Sequence, residues 1–232
     1  MLKKLFLSVL VILFIVLSIA LYRTVTHTAS VVEIIEGETI EIDEDKASQN
    51  LAASIRFKTI SYQDEEKFPF EEFDNFIKWA AATYPEFHQV MEIDQLKHSL
   101  LFKWQGSDPT LAPILFEGHH DVVPIIPGTE NLWQENPFAG VISNNRIWGR
   151  GALDDKSGVI GLMEAATYLI KNNFKPKRTT YFSFGHDEEV GGSGAALITE
   201  KLRQEGVQLS WSLGEGSFVN KGFFPGIDKF IA

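Results

Sequence analysis

The feature that most constrains the fold is the acidic turn Gly185–Gly192, which follows a β-rich run at 179–184 and precedes a helix-like segment. It places Glu188 and Glu189 at the carboxyl end of a predicted buried strand, the edge where open α/β sheets bind ligands. Successive side chains of a strand point to opposite sides, so one carboxylate is expected to hold a metal and the other to face the water that the metal activates. On its own, the eight-residue segment Gly185–Gly192 would be better explained as a solvated acidic turn. The other motifs decide between that explanation and a metal site.

A histidine motif, Gly118–Pro124, follows the predicted strand 112–117. His119 and Asp121 are two residues apart and therefore face the same way in extended backbone. A metal-binding imidazole donates its other N–H to a carboxylate or carbonyl, which makes Asp121 a candidate for that supporting role, or for modulating the neighbouring glutamate. His120 points the other way and is interpreted as a structural or rim residue. This motif alone is a weak signal.

Two further acidic segments complete the pattern. Asp154 and Asp155 follow the glycine-rich run 147–153, and either carboxylate could bridge two cations; Glu215 follows the predicted strand 209–213. Strands that alternate with helices favour an α/β fold with a largely parallel central sheet and helices on both faces. In that fold the ends of four strands bring the histidine and the acidic segments to one edge. The sequence therefore predicts a metal site there.

Helical periodicity predicts the rest of the framework. The predicted helices cover 47–55, 70–84, 156–172 and 193–204, with a further strand at 99–104 and an ordered loop at 127–145. The helix at 70–84 carries an aromatic stripe that is interpreted as core, and Pro85 is expected to end it.

Composition removes several functional classes. The chain has 31 acidic against 21 basic residues and a formal net charge of −10, which argues against nucleic acid as a partner. It contains no cysteine, so this sequence has neither a disulfide framework nor thiolate metal ligands. Any metal bound by it must rely on His, Asp and Glu.

The N-terminus predicts a membrane association. The run from Leu5 to Tyr22 is apolar except for Ser8 and Ser18, which is close to the length of about 20 residues that spans a bilayer. We interpret residues 1–24 as an uncleaved signal-anchor that contacts the membrane through residues 5–22. The lysines at positions 3 and 4 favour a cytoplasmic N-terminus and an extracytoplasmic location for the rest of the chain. Secretion after signal cleavage is the alternative.

The remaining chain divides into two parts by its pattern. Residues 25–46 are interpreted as an acidic tether with weak strand character at 31–35, and residues 47–232 as the folded domain.

Four motifs carry a resemblance to a known family. They are Gly118–Pro124, Trp148–Lys156, Gly185–Gly192 and Gly214–Gly216, and the resemblance runs from about Ala47 to Gly222. With the four motifs in this order, the chain resembles the M20 family of zinc peptidases. Within that family it resembles the branch that contains carboxypeptidase S, Gly-X carboxypeptidase and the secreted N-acyl amino acid hydrolases. Any one motif could arise by chance, whereas four at suitable intervals make a specific match.

The resemblance implies a set of site residues. The implied zinc ligands are His119, Asp154, Glu189 and Glu215, and the implied catalytic residues are Asp121 and Glu188. Asp154 would bridge two zinc ions, Glu188 would be the general base, and Asp121 would be the auxiliary acid. Relatives often have Asp-Glu-Gly where this chain has Gly214–Gly216. The zinc ligand of this motif is therefore assigned to Glu215 by elimination.

The same resemblance implies a function. It indicates a membrane-anchored di-zinc hydrolase that cleaves amide bonds of short peptides, as a carboxypeptidase, or of N-acyl amino acids, using a metal-bridging water. Cobalt or manganese could replace zinc in such a ligand set. A homodimer is an expectation for the full-length enzyme. A purely structural membrane-tethered domain would leave the convergence of the acidic motifs unexplained.

One departure from the family pattern bears on activity. The family's last zinc ligand is a distant downstream histidine, and no histidine follows His186 in this chain. We therefore expect an N-terminal portion of the catalytic domain, without the inserted lid or dimerisation domain and the C-terminal segment. The alternative function is a catalytically incomplete fragment with no activity as a 232-residue chain.

Overall fold

The computed structural model describes residues 2–26, 40–216, 220–221 and 230–231. These residues belong to two compact units, 1–41 and 42–232. Most of the predicted tether, including its weak strand at 31–35, lies outside the described residues.

The first unit contains helix α1, Leu2–Thr26. Its segment Lys3–Thr26 is long and apolar enough to cross a membrane, and none of its apolar stretch is buried against protein. A signal sequence has the same length and composition, so the choice between anchor and cleaved signal stays a prediction.

The second unit contains the sheets and the other helices. The helices are α2 (Glu44–Ile55), α3 (Phe70–Thr83), α4 (Pro85–Val90), α5 (Lys156–Lys171) and α6 (Ser193–Gln204). The strands are β1 (Glu92–Leu96), β2 (Ser99–Trp104), β3 (Ile114–His119), β4 (Val141–Ser143), β5 (Arg146–Trp148), β6 (Thr180–Gly185), β7 (Trp211–Leu213), β8 (Asn220–Lys221) and β9 (Phe230–Ile231). Short 3-10 turns lie at 65–67, 130–132 and 188–190.

The central sheet has the strand order β1-β2-β6-β3-β7. β3 pairs in parallel with β6 and β7, whereas β2 runs antiparallel to both β6 and β1. All strands except β2 therefore point the same way, which confirms the expected largely parallel sheet.

The β1–β2 hairpin was not predicted from the sequence. Its turn consists of Lys97 and His98, and Lys97 has a φ of 56°. Two-residue hairpin turns of this kind favour Asn or Gly, so the sequence lacks the usual turn signal.

Two apolar clusters cover the two faces of the sheet. Phe102, Phe182 and Phe184 belong to the larger cluster with residues of α3, α4 and α5. Leu101 and Tyr181, their neighbours in the chain, belong to the smaller cluster with residues of α6. Because side chains alternate along a strand, this division confirms helices on both faces.

The aromatic stripe of α3 lies in the core, as predicted. Phe73 and Phe76 are fully buried. Pro85 marks the end of α3 as expected, since α3 ends at Thr83, and the same proline begins α4, which was not predicted. Proline is well tolerated at a first helical position, where no N–H is needed.

The loop predicted at 127–145 contains a strand. Residues 141–143 form β4, which pairs with β5 through a turn at Asn144 and Asn145. Both asparagines have positive φ, 53° and 57°. That is the backbone of a tight hairpin turn, for which asparagine is suited.

Candidate metal centre

Three of the predicted segments meet at the carboxyl edge of the central sheet. His119 is the last residue of β3, Glu188 lies shortly after β6, and Glu215 lies shortly after β7. Because these strands are parallel neighbours, their ends lie side by side. All three residues line a cleft of about 470 Å³.

Asp154 is positioned at the site by a turn and not by a strand of the central sheet. It lies in the turn before α5, after a hairpin that is outside the central sheet, so its expected position at the end of a sheet strand was wrong. Asp155 caps α5, and its carboxylate accepts hydrogen bonds from the N–H groups of Gly158 and His119. Asp154, whose side chain is 62% exposed, therefore remains available to the site.

His119 uses both ring nitrogens within the site. Nε2 lies 3.0 Å from a carboxylate oxygen of Asp154 and 3.5 Å from one of Glu215. Nδ1 lies 3.2 Å from the Asp121 carboxylate and 3.1 Å from its carbonyl oxygen. With two acceptors beside it, Nδ1 carries a proton, and Nε2 faces the exposed carboxylates.

These distances fit a bound metal ion. One donor atom each from His119, Asp154 and Glu215 lies within 4.8 Å of the others. Tetrahedral ligands about 2.0–2.1 Å from zinc are separated by about 3.3 Å. The separations of 3.0 and 3.5 Å from Nε2 bracket that value.

The electrostatics of the cluster favour a cation. Burial opposes a charge on His119, but the hydrogen bond and charge of Asp121, with the charges of Glu215 and Asp155, raise its pKa to about 10. Burial raises the pKa of Glu215, and the charge of Asp154 adds to that effect. A metal ion would meet the same demand for positive charge.

Asp121 shapes the neighbouring turn. Its two carboxylate oxygens accept hydrogen bonds from the N–H groups of Glu188, at 3.0 Å, and Glu189, at 3.2 Å. Burial opposes its ionisation, yet the hydrogen bonds from His119 and the Glu188 backbone hold the pKa of Asp121 below its usual value.

This contact also corrects the expected geometry of the glutamates. Residues 188–190 form a 3-10 turn rather than extended strand, so alternation along a strand does not place Glu188 and Glu189. A carboxylate oxygen of Glu188 lies 3.7 Å from His119 Nε2.

Glu189 lies outside the three-residue donor group. Burial and the charge of Asp154 both raise the pKa of the Glu189 carboxyl, which places it within electrostatic reach of Asp154.

His120 belongs to the core rather than to the rim. It is fully buried and stacks on Phe76 with 4.9 Å between the ring centroids. Burial lowers its pKa to about 3, so the ring is neutral. The structural interpretation is confirmed, and the rim alternative was wrong.

Two residues near the site were missed from the sequence. Glu117 lines the cleft, and its position two residues before His119 on β3 was a usable signal, since both lie on one face of the strand. Asp187 lines the same cleft beside Glu188. No spacing rule distinguishes it from the neighbouring carboxylates.

Solved structures share this fold. Human carnosine dipeptidase 1 matches with a TM-score of 0.61 at 20% identity, over 76% of this chain and 40% of that chain. A metallo-carboxypeptidase of the M20 family from Sulfolobus solfataricus matches with a TM-score of 0.60 at 21% identity, over 76% and 38%. At these identities the likeness shows a shared fold alone.

Sequence comparison identifies the family. Residues 115–227 match the model of peptidase family M20/M25/M40. The chain therefore contains an M20 peptidase domain, and the resemblance inferred from its motifs is confirmed.

Relatives found by sequence similarity agree with this assignment. A probable carboxypeptidase S-like protein of Dictyostelium discoideum is 41% identical over 77% of this chain, and the mouse N-fatty-acyl-amino acid synthase/hydrolase PM20D1 is 40% identical over 78%. Carboxypeptidase S of Saccharomyces cerevisiae is 32% identical over 76%. The matches span 37%, 36% and 33% of these relatives' own lengths.

Proposed function

We propose that this protein is a metal-dependent hydrolase that cleaves amide bonds in short peptides or N-acyl amino acids. The observation that carries the proposal is the geometry of His119, whose Nε2 faces Asp154 and Glu215 while Asp121 holds Nδ1. The relatives named as carboxypeptidases and as N-fatty-acyl-amino acid hydrolases support these two substrate classes.

Two zinc ions would share the donor set. His119, Asp154 and Glu215 would hold one ion, as their mutual distances support. Asp154 and Glu189 would hold the second, which the influence of Asp154 on the pKa of Glu189 supports. Nitrogen and oxygen donors suit zinc, and cobalt or manganese would also be accepted.

The side chains divide the chemistry between them. When bound, two zinc ions polarise the scissile carbonyl and make water a better nucleophile. Glu188 would take a proton from the attacking water and deliver it to the leaving nitrogen, for which its half-exposed carboxylate in the cleft is suited. Asp121 would keep the His119 ring oriented and the Glu188 backbone in place.

The N-terminal helix would attach the enzyme to a membrane. α1 would be the anchor and the segment between α1 and α2 the tether, and the catalytic part, which begins with α2 at Glu44 rather than at the expected residue 47, would lie on the extracytoplasmic side. The apolar length of α1 and Lys3 and Lys4 before its apolar run support this arrangement.

The direct test is turnover in a pair of matched variants. The full chain in detergent is loaded with zinc and assayed with a blocked dipeptide and an N-acyl amino acid. Glu188→Gln is expected to retain its zinc and lose turnover by at least about 100-fold, as removal of a general base does. Glu117→Gln, which alters another carboxylate of the same cleft, is expected to keep turnover within about threefold of wild type, because Glu117 lies outside the donor group of His119, Asp154 and Glu215.

The outcomes separate the hydrolase from its alternative. Equal losses in both variants would contradict the role assigned to Glu188. Zinc binding without turnover in the wild-type chain would favour the catalytically incomplete alternative.

A further inference from the structure

A buried polar cluster lies directly behind the Glu188–Glu189 turn. It consists of Ser99, His186 and Asp187, which are 0%, 1% and 6% exposed. Ser99 Oγ lies 2.6 Å from His186 Nδ1, and a carboxylate oxygen of Asp187 lies 3.7 Å from the same nitrogen.

The cluster is not a second hydrolytic centre. In a Ser-His-Asp triad the serine contacts one ring nitrogen and the carboxylate contacts the other. Here both groups lie on Nδ1, and the serine has no exposure to a substrate. The cluster must therefore act on its surroundings.

Asp187 connects the turn to helix α6. Its carboxylate accepts hydrogen bonds from the backbone N–H and the hydroxyl of Ser193 and, at 2.8 Å, from the N–H of Gly194. Its own carbonyl accepts a bond from the Gly192 N–H, at 2.9 Å. A carboxylate at a helix N-terminus satisfies free N–H groups and interacts favourably with the helix dipole.

The loop is built around this carboxylate. A methyl group at Gly192 would overlap the Asp187 carboxylate, and one at Gly194 would lie 2.7 Å from it and 2.9 Å from His186 Nδ1. Gly192 has a φ of −83°, which any residue adopts. Glycine is therefore required at this position by the lack of room for a side chain and not by the backbone conformation.

We propose that Asp187 is a positioning residue for the metal centre, an inference that rests on the proposed function. The turn that carries Glu188 and Glu189 is held between two carboxylates. Asp121 binds its N–H groups from the His119 side, and Asp187 fixes its other side to the first turn of α6. Asp187 thereby fixes the turn from which Glu189 would bind a metal ion.

The test measures zinc affinity of the metal-free full chain in detergent by competition with a chromophoric chelator. Asp187→Asn is expected to weaken zinc binding by about 10- to 100-fold, the range for residues that orient ligands. Asp43→Asn is the matched control, because Asp43 caps α2 through the Lys46 N–H. It is expected to lower the unfolding midpoint while leaving zinc affinity within about twofold of wild type.

A second variant covers the case in which Asp187→Asn does not fold. Gly192→Ala keeps the carboxylate but displaces it, and is expected to weaken zinc binding in the same direction. Gly161→Ala is its control, since a methyl group there meets no atom within 4 Å. Thermal unfolding of each metal-free variant establishes that the protein compared is folded.

Each result has one meaning. A wild-type chain that binds no zinc overturns the proposed function. If the wild-type chain binds zinc and the folded Asp187 or Gly192 variants bind it equally well, the positioning role of Asp187 is overturned. The proposed function is then unaffected.

Discussion

At the scale of single residues, His119 links the buried sheet to the exposed carboxylates. Its ring is 2% exposed, yet Nε2 reaches Asp154, whose side chain is 62% exposed. Asp121 is fully buried beside Nδ1 and fixes the ring. A cation at this point, whether a proton on the imidazole or a metal ion, neutralises the surrounding acids.

The first prediction concerns the titration of His119 in the metal-free protein. Its pKa of about 10 lies above the ordinary value of 6.5, so the folded state holds the proton more tightly than the unfolded state. The resulting stability is fully present below about pH 6.5 and is lost as the pH rises through 10. Asp121→Asn should return the pKa towards 6.5, as followed by NMR of the imidazole.

Asp108→Asn is the control, because Asp108 lies on an exposed turn and bonds to Thr110. A His119 ring that titrates near pH 6.5 in the wild-type protein would contradict the account of the cluster.

The sequence was sufficient to predict the His119–Asp121 contact, because a two-residue spacing at a strand end keeps both side chains on one side. It was insufficient for Glu188 and Glu189. Their turn depends on the Asp121 carboxylate, 67 residues away in the chain, which captures the Glu188 N–H. A hydrogen bond between residues so far apart in the chain produces no periodic pattern in the sequence.

At the scale of elements, the start of α5 is fixed to the end of α2 by a buried lysine. Lys156 is fully buried, and its Nζ donates to the carbonyl oxygens of Ser54, at 2.9 Å, and Phe57, at 2.6 Å. Burial lowers the pKa of Lys156 to about 7, so these contacts rest on hydrogen bonds from Nζ rather than on a permanent charge. This contact holds the segment that carries Asp154.

The second prediction follows from this contact. Lys156→Met removes the donor and leaves buried carbonyl oxygens without it, which should lower the free energy of unfolding by about 1–3 kcal/mol. Lys171→Met alters an exposed ion pair at the other end of the same helix and should change stability by less than about 1 kcal/mol. Urea denaturation of both variants, monitored by circular dichroism, makes the comparison. Equal effects would show that the Lys156 contact has no special role.

Periodicity predicted the long helices well, since α6 begins and ends as expected and the aromatic face of α3 is buried. It failed at the short elements. The β1–β2 hairpin turns at Lys97 without the usual turn residues, and α4 begins at Pro85. Tertiary packing decides such elements, and local sequence preference is too weak to predict them.

At the scale of the whole molecule, an apolar helix precedes a unit with its own core. The helix spans Leu2–Thr26, and the second unit begins at residue 42. The two clusters on the faces of the sheet draw their members from the second unit alone. The core of the second unit is therefore formed by its own residues.

The third prediction concerns membrane association. The full chain should float with phosphatidylcholine vesicles in a density gradient, whereas a chain lacking residues 2–26 should remain at the bottom. The thermal unfolding midpoint of the shortened chain should match that of the full chain in detergent. Flotation of the shortened chain, or none for the full chain, would contradict the anchor.

We propose that the donors at the sheet edge bind two metal ions. Anomalous diffraction at the zinc edge, from crystals of the zinc-loaded full chain, tests this most directly. We expect two peaks about 3.5–4 Å apart, with Asp154 contacting both, His119 and Glu215 at one, and Glu189 at the other. Zinc bound elsewhere, or a single ion that leaves Asp154 unligated, would contradict it.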